Sequence, residues 1–467
     1  MEKKEKILRP VGRVHGGALL PHFKKTAEQE SVIMPPPAVV KIPMSQHIGA
    51  PAEPCVKAGD KVFVGTKIGD ASGFVSAPVH SSVSGTVKAI EEMNVGGRKT
   101  KCVVIESDGN MEKDPELKPF PVNTREDIAK AADLCGLVGL GGAGFPTKVK
   151  LSVKEETPID TLIINGAECE PYITSDYRAC MEDYEDVIEG VYLIKEKLNI
   201  EKVIICIESN KPKAIEKLYE IAADKRDEDD SVKLMKLPTS YPQGAEKVII
   251  YSATGRRVPA GKLPSDVGCI VMNITSVVTL NRFIKTGMPL VSKRITVDGT
   301  AVNEPKNIIV PIGTAIKDVL EFAGGVTEDA NEIIFGGPMM GVDAESDSGV
   351  IEKRTNAITV MKEEIKPPAV TPCIRCGRCA RACPMKLYPA SVEAAVNHGL
   401  TESLNNLNVN YCMECGSCSY VCPQSGRLHR LCGLPKHSLG GKGNERDTNG
   451  GVLAPYKAQR HHKGHYV

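Results

Sequence analysis

The sequence lacks three features that would place it in common functional classes. It has no charge excess, with 59 Lys and Arg against 58 Asp and Glu, which argues against a nucleic-acid-binding protein. It has no apolar run near the roughly 18 residues of a membrane-spanning helix. Its first residues, Met1–Lys6, precede no apolar segment and do not resemble a secretory signal. These absences predict a cytosolic protein that meets a membrane only through a partner.

Cysteine, by contrast, is abundant for a chain expected in a reducing compartment. Of the 16 cysteines, nine fall between Cys373 and Cys432 and seven are scattered. Disulfides are rare in the cytosol, so clustered cysteines there indicate metal or iron–sulfur ligands. The scattered cysteines are expected to be small buried hydrophobic residues.

The length of 467 residues predicts several domains. Residues 1–35 are basic and have no period, so they are expected to form an irregular segment. Residues 36–110 contain short β-rich runs separated by glycine, which predicts a small sandwich or barrel. This part resembles the barrel-sandwich hybrid of biotinyl and lipoyl carriers, but Asp70–Val75 offers no lysine at the hairpin tip. A docking domain is therefore expected.

Strands and helices alternate over residues 122–288. Thr161–Asn165 and Val203–Ile207 are continuous apolar runs, as in buried parallel strands, and helices are expected near 125–135, 180–198 and 211–224. A second β-rich unit, with a helix at 315–323, is expected over 290–343. A linker at Lys366 leads to a cysteine domain over 366–432, and the tail, 433–467, has the composition of a disordered segment. The fold class is therefore multidomain, α/β and β.

Two cysteine runs share one spacing. Cys373-x2-Cys376-x2-Cys379-x3-Cys383-Pro recurs as Cys412-x2-Cys415-x2-Cys418-x3-Cys422-Pro. This spacing is typical of ferredoxins with two [4Fe–4S] clusters, in which the fourth cysteine of each run binds the other cluster. Cluster 1 is therefore expected to use Cys373, Cys376, Cys379 and Cys422, and cluster 2 is expected to use Cys412, Cys415, Cys418 and Cys383. The alternative is a pair of structural zinc sites, which usually pair CxxC with CxxC across a gap.

The run Gly139-Leu-Gly-Gly-Ala-Gly-Phe-Pro-Thr147 is the second informative pattern. Its glycines allow the backbone to approach a ligand closely and to point N–H groups at an anion. It matches neither the P-loop nor the full dinucleotide-binding pattern. These residues alone are compatible with two interpretations, a phosphate-binding loop and a structural turn.

The glycine run resembles the flavin loop of the NADH-oxidising flavoprotein subunit of respiratory complex I. Asn165–Pro171 and Tyr241–Glu246 resemble two further segments of that subunit in the expected order, and Met272–Ser276 resembles a third weakly. The order of barrel-sandwich, flavin domain, β-grasp (SLBB-like) unit and helical two-cluster ferredoxin-like domain resembles the RnfC subunit of the Rnf electron-transport complex. Typical phrases of that family include Gly336-Gly-Pro-Met-Met-Gly341.

The resemblance implies a Rossmann-like α/β domain that binds FMN noncovalently, with NAD(H) as substrate. The residues implied at the flavin are Gly139, Gly141, Gly142, Ala143, Gly144, Lys150 near the phosphate, Asn165, Asn273 and Ser276. Those implied to face NADH are Phe145, Glu168, Glu170 and Glu246. The chain departs from the complex I subunit at three positions. Leu140 replaces an arginine of that subunit, Ala167 replaces an aspartate, and Lys247 replaces a glutamate.

The expected activity follows from the cofactors. NAD exchanges two electrons as a hydride, whereas each cluster passes one, and the flavin converts between the two regimes. The resemblance implies a peripheral subunit on the cytoplasmic face of the cell membrane, in a complex that couples ferredoxin:NAD+ electron transfer to Na+ or H+ translocation. Its expected partners are the membrane subunits and the ferredoxin-type iron–sulfur subunit. Nucleic acid is not expected as a partner. The alternatives are a soluble reductase, such as a cobalamin reductase, and an electron-relay scaffold without nucleotide chemistry.

Overall fold

The computed structural model of the chain describes residues 7–95, 98–142, 144–153, 157–224, 230–344, 349–362 and 371–423. The predicted linker at Lys366, Cys432, the predicted tail 433–467 and the predicted flavin-loop residue Ala143 lie outside these ranges. Within them, every helix is too short or too polar to cross a bilayer.

The N-terminal segment is mostly irregular, as expected, but it contacts three other parts of the chain. Leu8 forms a parallel bridge with Met235, and the Gly17 amide donates to the Ala382 carbonyl at 2.8 Å. Strand β1 (Val32–Ile33) joins a sheet of the β-grasp unit. No local pattern in this segment predicts these contacts, because they depend on distant partners.

The barrel-sandwich unit consists of two antiparallel sheets, with strand orders β2-β8-β7-β4 and β3-β5-β6. The strands are β2 (Val39–Pro43), β3 (Glu53–Pro54), β4 (Lys61–Val62), β5 (Lys67–Asp70), β6 (Val79–His80), β7 (Gly85–Val95) and β8 (Arg98–Ser107). Alternate apolar residues such as Val40 and Ile42 are fully buried between the sheets. The all-β prediction for this region is confirmed.

The α/β unit has a four-stranded parallel sheet in the order β11-β10-β9-β12. Its elements are α1 (Arg125–Leu134), α2 (Thr147–Leu151), β9 (Thr161–Gly166), α3 (Ser175–Glu182), α4 (Tyr184–Leu198), β10 (Lys202–Glu208), α5 (Pro212–Asp224), β11 (Val232–Leu237), α6 (Glu246–Thr254), β12 (Cys269–Asn273) and α7 (Ile274–Thr286). The helix expected at 180–198 is broken at Asp183, whose carboxylate is paired with Arg282 and Arg294.

The β-grasp unit, predicted over 290–343, contributes to a sheet that also contains strands from outside this range. Its elements are β13 (Ser292–Gly299), β14 (Lys306–Pro311), α8 (Ile316–Phe322), β15 (Ala330–Phe335), β16 (Val342–Asp343) and β17 (Ala357–Lys362). The six-stranded order is β1-β14-β13-β17-β15-β16, so two strands come from outside the predicted range. Strand β17 lies inside the sheet, parallel to β13 and antiparallel to β15.

The cysteine unit is small and helical. Its helices are α9 (Arg378–Ala382), α10 (Pro389–Asn397), α11 (Thr401–Asn406) and α12 (Ser417–Tyr420). A short apolar core of Val392, Ala395, Leu404 and Val409 lies between α10 and α11. So small a core needs further support, and iron–sulfur ligation can supply it.

Lys353 connects three of these units. Its side chain is 1% exposed, and its Nζ donates to the Pro78 carbonyl at 2.6 Å and to the Gly136 carbonyl at 2.8 Å. Its backbone amide donates to Gln46 Oε1 at 2.9 Å. Burial lowers the pKa of Lys353 to about 7, because two carbonyls do not replace the hydration of an ammonium group.

The stability of the protein is expected to rise with pH because of Lys353. Between about pH 7 and its ordinary pKa of 10.5, the unfolded chain holds the Lys353 proton and the folded chain does not, so the free energy of unfolding increases. One pKa unit corresponds to about 1.4 kcal/mol. Urea unfolding followed by circular dichroism should show a steeper rise in the wild type than in Lys353→Met. Equal pH slopes in the two proteins would contradict the prediction.

Candidate functional site

The glycine loop follows α1 and leads into α2. Gly142 and Gly144 have φ angles of +119° and +64°, which side chains with a Cβ rarely adopt. A Cβ on Gly142 would meet no atom within 4 Å, so this part of the loop faces open space. The loop therefore presents bare backbone to any ligand that approaches it.

Asn273 and Ser276 lie directly beside this loop. Asn273 caps α7, its Oδ1 accepting the Thr275 amide at 2.9 Å, and a Cβ on Gly141 would lie 3.2 Å from its Nδ2. The Leu140 amide donates to Ser276 Oγ at 3.2 Å. The N-terminus of the 13-residue helix α7 thus lies at the loop, where its dipole favours a phosphate. These residues fit the phosphate and polar edge of FMN.

Lys150 and Glu246 are brought together beside β12, the edge strand of the parallel sheet. Lys150 Nζ lies 2.9 Å from Glu246 Oε2 and 3.1 Å from the Val271 carbonyl. Both side chains are partly exposed. The Lys150 ammonium is therefore paired with a carboxylate in this structure. Its contact with the FMN phosphate stays a prediction.

Asn165 joins two of the segments that carried the family resemblance. Its Nδ2 donates to the Gly244 carbonyl at 2.8 Å, and its Oδ1 accepts the Ala167 amide at 3.2 Å. Gly139 and Phe145 are paired across the glycine loop, where the Gly139 amide donates to the Phe145 carbonyl at 2.8 Å. The half-buried Phe145 ring is thereby held at the edge of the loop.

Glu168 and Glu170 already have protein partners. Glu168, at φ +48°, accepts the Asp176 amide at 2.6 Å and the Tyr177 amide at 3.3 Å, at the start of α3. Glu170 accepts the amides of Met339 and Met340 at 3.0 and 2.9 Å. Burial raises the pKa of each carboxyl to about 7; the Lys24 ammonium is the main opposing influence at Glu168, and the amide donors are the main one at Glu170. Contact of either carboxylate with NADH stays a prediction.

Two lysines that the sequence did not single out bind backbone carbonyls of residues 167–173, which we call the acidic segment. Lys24 Nζ donates to the carbonyls of Glu168, Glu170 and Ile173. The buried Lys211 Nζ donates to the Ala167 carbonyl at 2.6 Å and lies 3.2 Å from Glu208 Oε2. The segment therefore bends around two ammonium groups. Only their long-range contacts distinguish them, and the sequence carries no signal for those.

Lys293 is a third lysine that the sequence did not mark. It extends from β13 to the underside of the glycine loop, is 2% exposed, and its Nζ lies 3.5 Å from the Leu140 carbonyl. Burial lowers the pKa of Lys293 to about 8, and the nearby Asp176 carboxylate opposes the shift. A buried cation behind this loop favours an anionic ligand in front of it. This charge fits FMN.

The two cysteine runs have the same backbone conformation. Arg375 and Glu414, the residues before the second cysteine of each run, have φ angles of +56° and +57°. Gly377 and Gly416, directly after that cysteine, have φ angles of +70° and +78° and precede α9 and α12. The runs thus form two equivalent loops, as the repeated spacing predicts.

The fourth cysteine of each run lies with the other run. A small cavity is lined by Cys383 together with Cys412, Cys415 and Cys418. Burial raises the pKa of the Cys379 thiol, and the neighbouring Cys422 and Cys373 add to this rise. Cys383 thus lies with the second run and Cys422 lies near Cys379 of the first run, as expected if the fourth cysteine of each run binds the other cluster. We call this the crossed assignment. The ligand assignment itself stays a prediction.

The cavity at Cys383 also contains the donors that a cluster needs. The Leu387 amide donates to Cys383 Sγ at 3.4 Å, and the Glu414 amide donates to Cys412 Sγ at 3.4 Å. Such N–H···S bonds stabilise cluster-bound thiolates and tune the potential of the cluster. The residues present therefore fit a [4Fe–4S] cluster.

Tyr241 links the flavin side of the site to the second cysteine run. Its hydroxyl donates to the Cys415 carbonyl at 2.6 Å, and the ring is 2% exposed. Tyr241 precedes the Gly244 that binds Asn165, and Asn165 is the register partner of Asn273 beside the glycine loop, so a few residues join this loop to the cysteine cavity. The sequence marked Tyr241 only as part of a family phrase.

Comparison with known proteins assigns a family model to each unit. Residues 12–110 match the RnfC barrel sandwich hybrid domain, residues 133–282 the Nuo51 FMN-binding domain, residues 294–343 the SLBB domain and residues 358–427 the 4Fe-4S dicluster domain. The predicted fold class, FMN and two [4Fe–4S] clusters are thereby confirmed. The exact domain boundaries stay predictions.

Three curated relatives cover most of the chain. It is 42% identical over 375 residues to the C subunit of the proton-translocating ferredoxin:NAD(+) oxidoreductase complex of Clostridium ljungdahlii, covering 79% of this chain and 80% of the relative. It is 41% identical to the Na(+)-translocating counterpart of Acetobacterium woodii, covering 82% and 86%. It is 38% identical to the C subunit of the ion-translocating oxidoreductase complex of Rhodobacter capsulatus, covering 81% and 73%. This chain therefore belongs to the RnfC family, the C subunits of Rnf-type ion-translocating oxidoreductase complexes.

Proposed function

We propose that this chain exchanges electrons between NAD(H) and a one-electron partner, as the peripheral subunit of a ferredoxin:NAD+ oxidoreductase that translocates ions. The names of its relatives support this assignment, and they divide between proton and Na+ translocation. Its location is the cytoplasmic face of the cell membrane. Its partners are the membrane subunits and a ferredoxin-type iron–sulfur subunit.

The residues of the α/β unit bind and orient the cofactor. Bound FMN supplies the exchange between hydride and single electrons, which is the chemistry of the cofactor and not of a side chain. The glycine loop, Asn273 and Ser276 bind its polar groups, and Lys293 supplies a positive charge behind the loop. Phe145 and Glu246 lie at the edge where NAD(H) would approach. No side-chain acid or base is assigned, since hydride transfer requires none.

The contact between Tyr241 and Cys415 is the observation that carries the proposal. A hydrogen bond of 2.6 Å joins the segment around the flavin site directly to a cluster ligand run. A scaffold without nucleotide chemistry would have no need for this proximity. We therefore assign the cluster of Cys383, Cys412, Cys415 and Cys418 as the one next to the flavin.

The other cysteine run faces outward, which supports its assignment to the partner side. Cys373 and Cys376 are exposed, and Ile374 between them is 66% exposed. Arg375, Arg378 and Arg381 surround them as exposed cations. Positive charge around an exposed electron-transfer site favours rapid association with an acidic partner. We propose that the iron–sulfur partner docks here.

Analysis of the purified chain tests the proposal directly. We expect about eight irons and one FMN per chain, from two clusters of four irons each. Anaerobic NADH should bleach both the flavin and the cluster absorption, and the protein should then reduce a one-electron dye. Intact clusters without flavin, and without dye reduction by NADH, would establish the scaffold alternative. Two zinc ions in place of the iron would overturn the cluster assignment.

A further inference from the structure

Three units of the protein meet in one buried apolar contact. Tyr241 of the α/β unit, Met339 of the β-grasp unit and Cys415 of the cysteine unit pack together, at 2%, 7% and 9% exposure. Met339 belongs to residues 336–341, between β15 and β16, which we call the linking loop. This loop of the β-grasp unit lies beside both the α/β unit and the second cysteine run.

Glu170 holds the linking loop in place. Its carboxylate accepts the amide of Met339 at 3.0 Å through Oε2 and the amide of Met340 at 2.9 Å through Oε1. The packing is so close that a Cβ on Gly337 would clash with Glu170 Oε2. The loop therefore has no room to shift toward the acidic segment, and its two amides are satisfied by one carboxylate.

The opposite side of the linking loop packs against the second cysteine run. A Cβ on Gly416 would lie 3.3 Å from the Met339 carbonyl and 3.6 Å from its Cε. Gly416 directly follows Cys415, whose carbonyl accepts the Tyr241 hydroxyl. The loop thus lies between the carboxylate of Glu170 on one side and the cysteine loop on the other.

We propose that Glu170 is a positioning residue that, by binding the Met339 and Met340 amides, fixes the linking loop between flavin and cluster 2. Met339 then excludes water from the contact and keeps the cysteine loop at a constant distance from the α/β unit. Electron tunnelling falls exponentially with distance, so the rate at which cluster 2 gains one electron and the flavin loses one depends on this packing. This inference rests on the proposed function.

The same carboxylate is one of those that the family resemblance directs toward NADH. Both of its oxygens already accept an amide hydrogen bond in the protein, and the two amides belong to a different unit. The two roles differ in what they change. A nucleotide contact alters the KM for NADH, whereas a positioning role alters the electron transfer that follows and the surroundings of cluster 2.

Glu170→Gln in the full-length holoprotein separates the two roles. Glutamine keeps the shape but turns one acceptor into an N–H donor that faces an amide N–H. We expect unchanged iron and FMN content, a KM for NADH within about twofold, and about tenfold slower reduction of cluster 2 in stopped-flow single turnover. Hydrogen exchange at Met339 and Met340 should accelerate, and the midpoint potential of cluster 2 should shift in an EPR titration.

Asp298→Asn is the matched control. Asp298 is a 1% exposed carboxylate of the same β-grasp unit that accepts the Gly299 amide at 2.7 Å, a hydrogen bond that involves no residue of the linking loop. It should leave the cluster 2 rate, its potential and the exchange of Met339 unchanged. Tyr241→Phe removes only the hydroxyl at the same contact, so it should slow the same step even if Glu170→Gln does not fold.

The outcomes distinguish this inference from the function on which it rests. A wild-type chain that binds no FMN, or that NADH does not reduce, defeats the proposed function. A raised KM in Glu170→Gln, with normal cluster 2 reduction and normal amide exchange, overturns the positioning role and establishes the nucleotide contact. A control variant that slows cluster 2 as much as Glu170→Gln also overturns it, because a general loss of stability would then be the cause.

Discussion

Cys383→Ala is expected to abolish the cluster of the second cysteine run while the cluster of the first run persists. Cys383 belongs to the first run by sequence, but it lines the cavity of Cys412, Cys415 and Cys418. Loss of one of four thiolates leaves one iron without a protein ligand. About four of about eight irons should therefore remain in the purified protein. The EPR spectrum should match that of Cys418→Ala and differ from that of Cys376→Ala.

The reciprocal variant tests the crossing from the other side. Cys422→Ala should lose the cluster of the first run and so resemble Cys376→Ala. Cys432 lies beyond both runs in the sequence, and Cys432→Ala should retain both clusters. If Cys383→Ala instead resembles Cys376→Ala, each run binds its own cluster and the crossed assignment is wrong.

Local sequence patterns predicted the parts of the site that depend on neighbouring residues. Cluster ligation requires three thiolates on one tight loop, so the spacing of Cys373, Cys376 and Cys379 alone indicates the chemistry. The glycine loop is equally local, since several glycines within six residues leave the backbone bare. The repeated φ angles at Gly377 and Gly416 show why both runs could be predicted from one pattern.

Contacts between distant parts of the chain could not be predicted in this way. Lys24 lies in a segment without any period, yet it binds carbonyls about 145 residues away. Glu170 binds amides 169 and 170 residues further along. Strand β17 lies outside the predicted β-grasp range, although it pairs with both β13 and β15. Such partners emerge only when separate units pack together.

The family resemblance filled part of this gap, and the structure refines what it implied. It implied that Asn273 and Ser276 contact the flavin, and both lie beside the glycine loop, while the flavin contact itself stays a prediction. It directed Glu168 and Glu170 toward NADH, a contact that stays a prediction, and the structure adds that both carboxylates accept backbone amides of this chain. These hydrogen bonds have a physical reason, because a half-buried carboxylate needs hydrogen-bond donors and here the protein supplies them.

Gly142→Val is expected to yield folded protein that contains both clusters but no FMN. The glycine has a φ angle of +119°, and a Cβ there would point into open space in front of the loop, where the flavin is expected. Valine would therefore strain the backbone, at a cost of about 1–3 kcal/mol, and occupy the volume that the ligand needs. The FMN-to-iron ratio and calorimetric FMN binding measure the effect.

Gly109→Val separates strain from obstruction. Gly109 also has a positive φ angle, +75°, and a Cβ there would also meet no atom within 4 Å, but it follows β8 in the barrel-sandwich unit. It should lower stability by a similar amount and keep the FMN-to-iron ratio of the wild type. FMN binding by Gly142→Val that matches the Gly109→Val control would show that the flavin does not lie on this loop, because only the position of the added side chain differs.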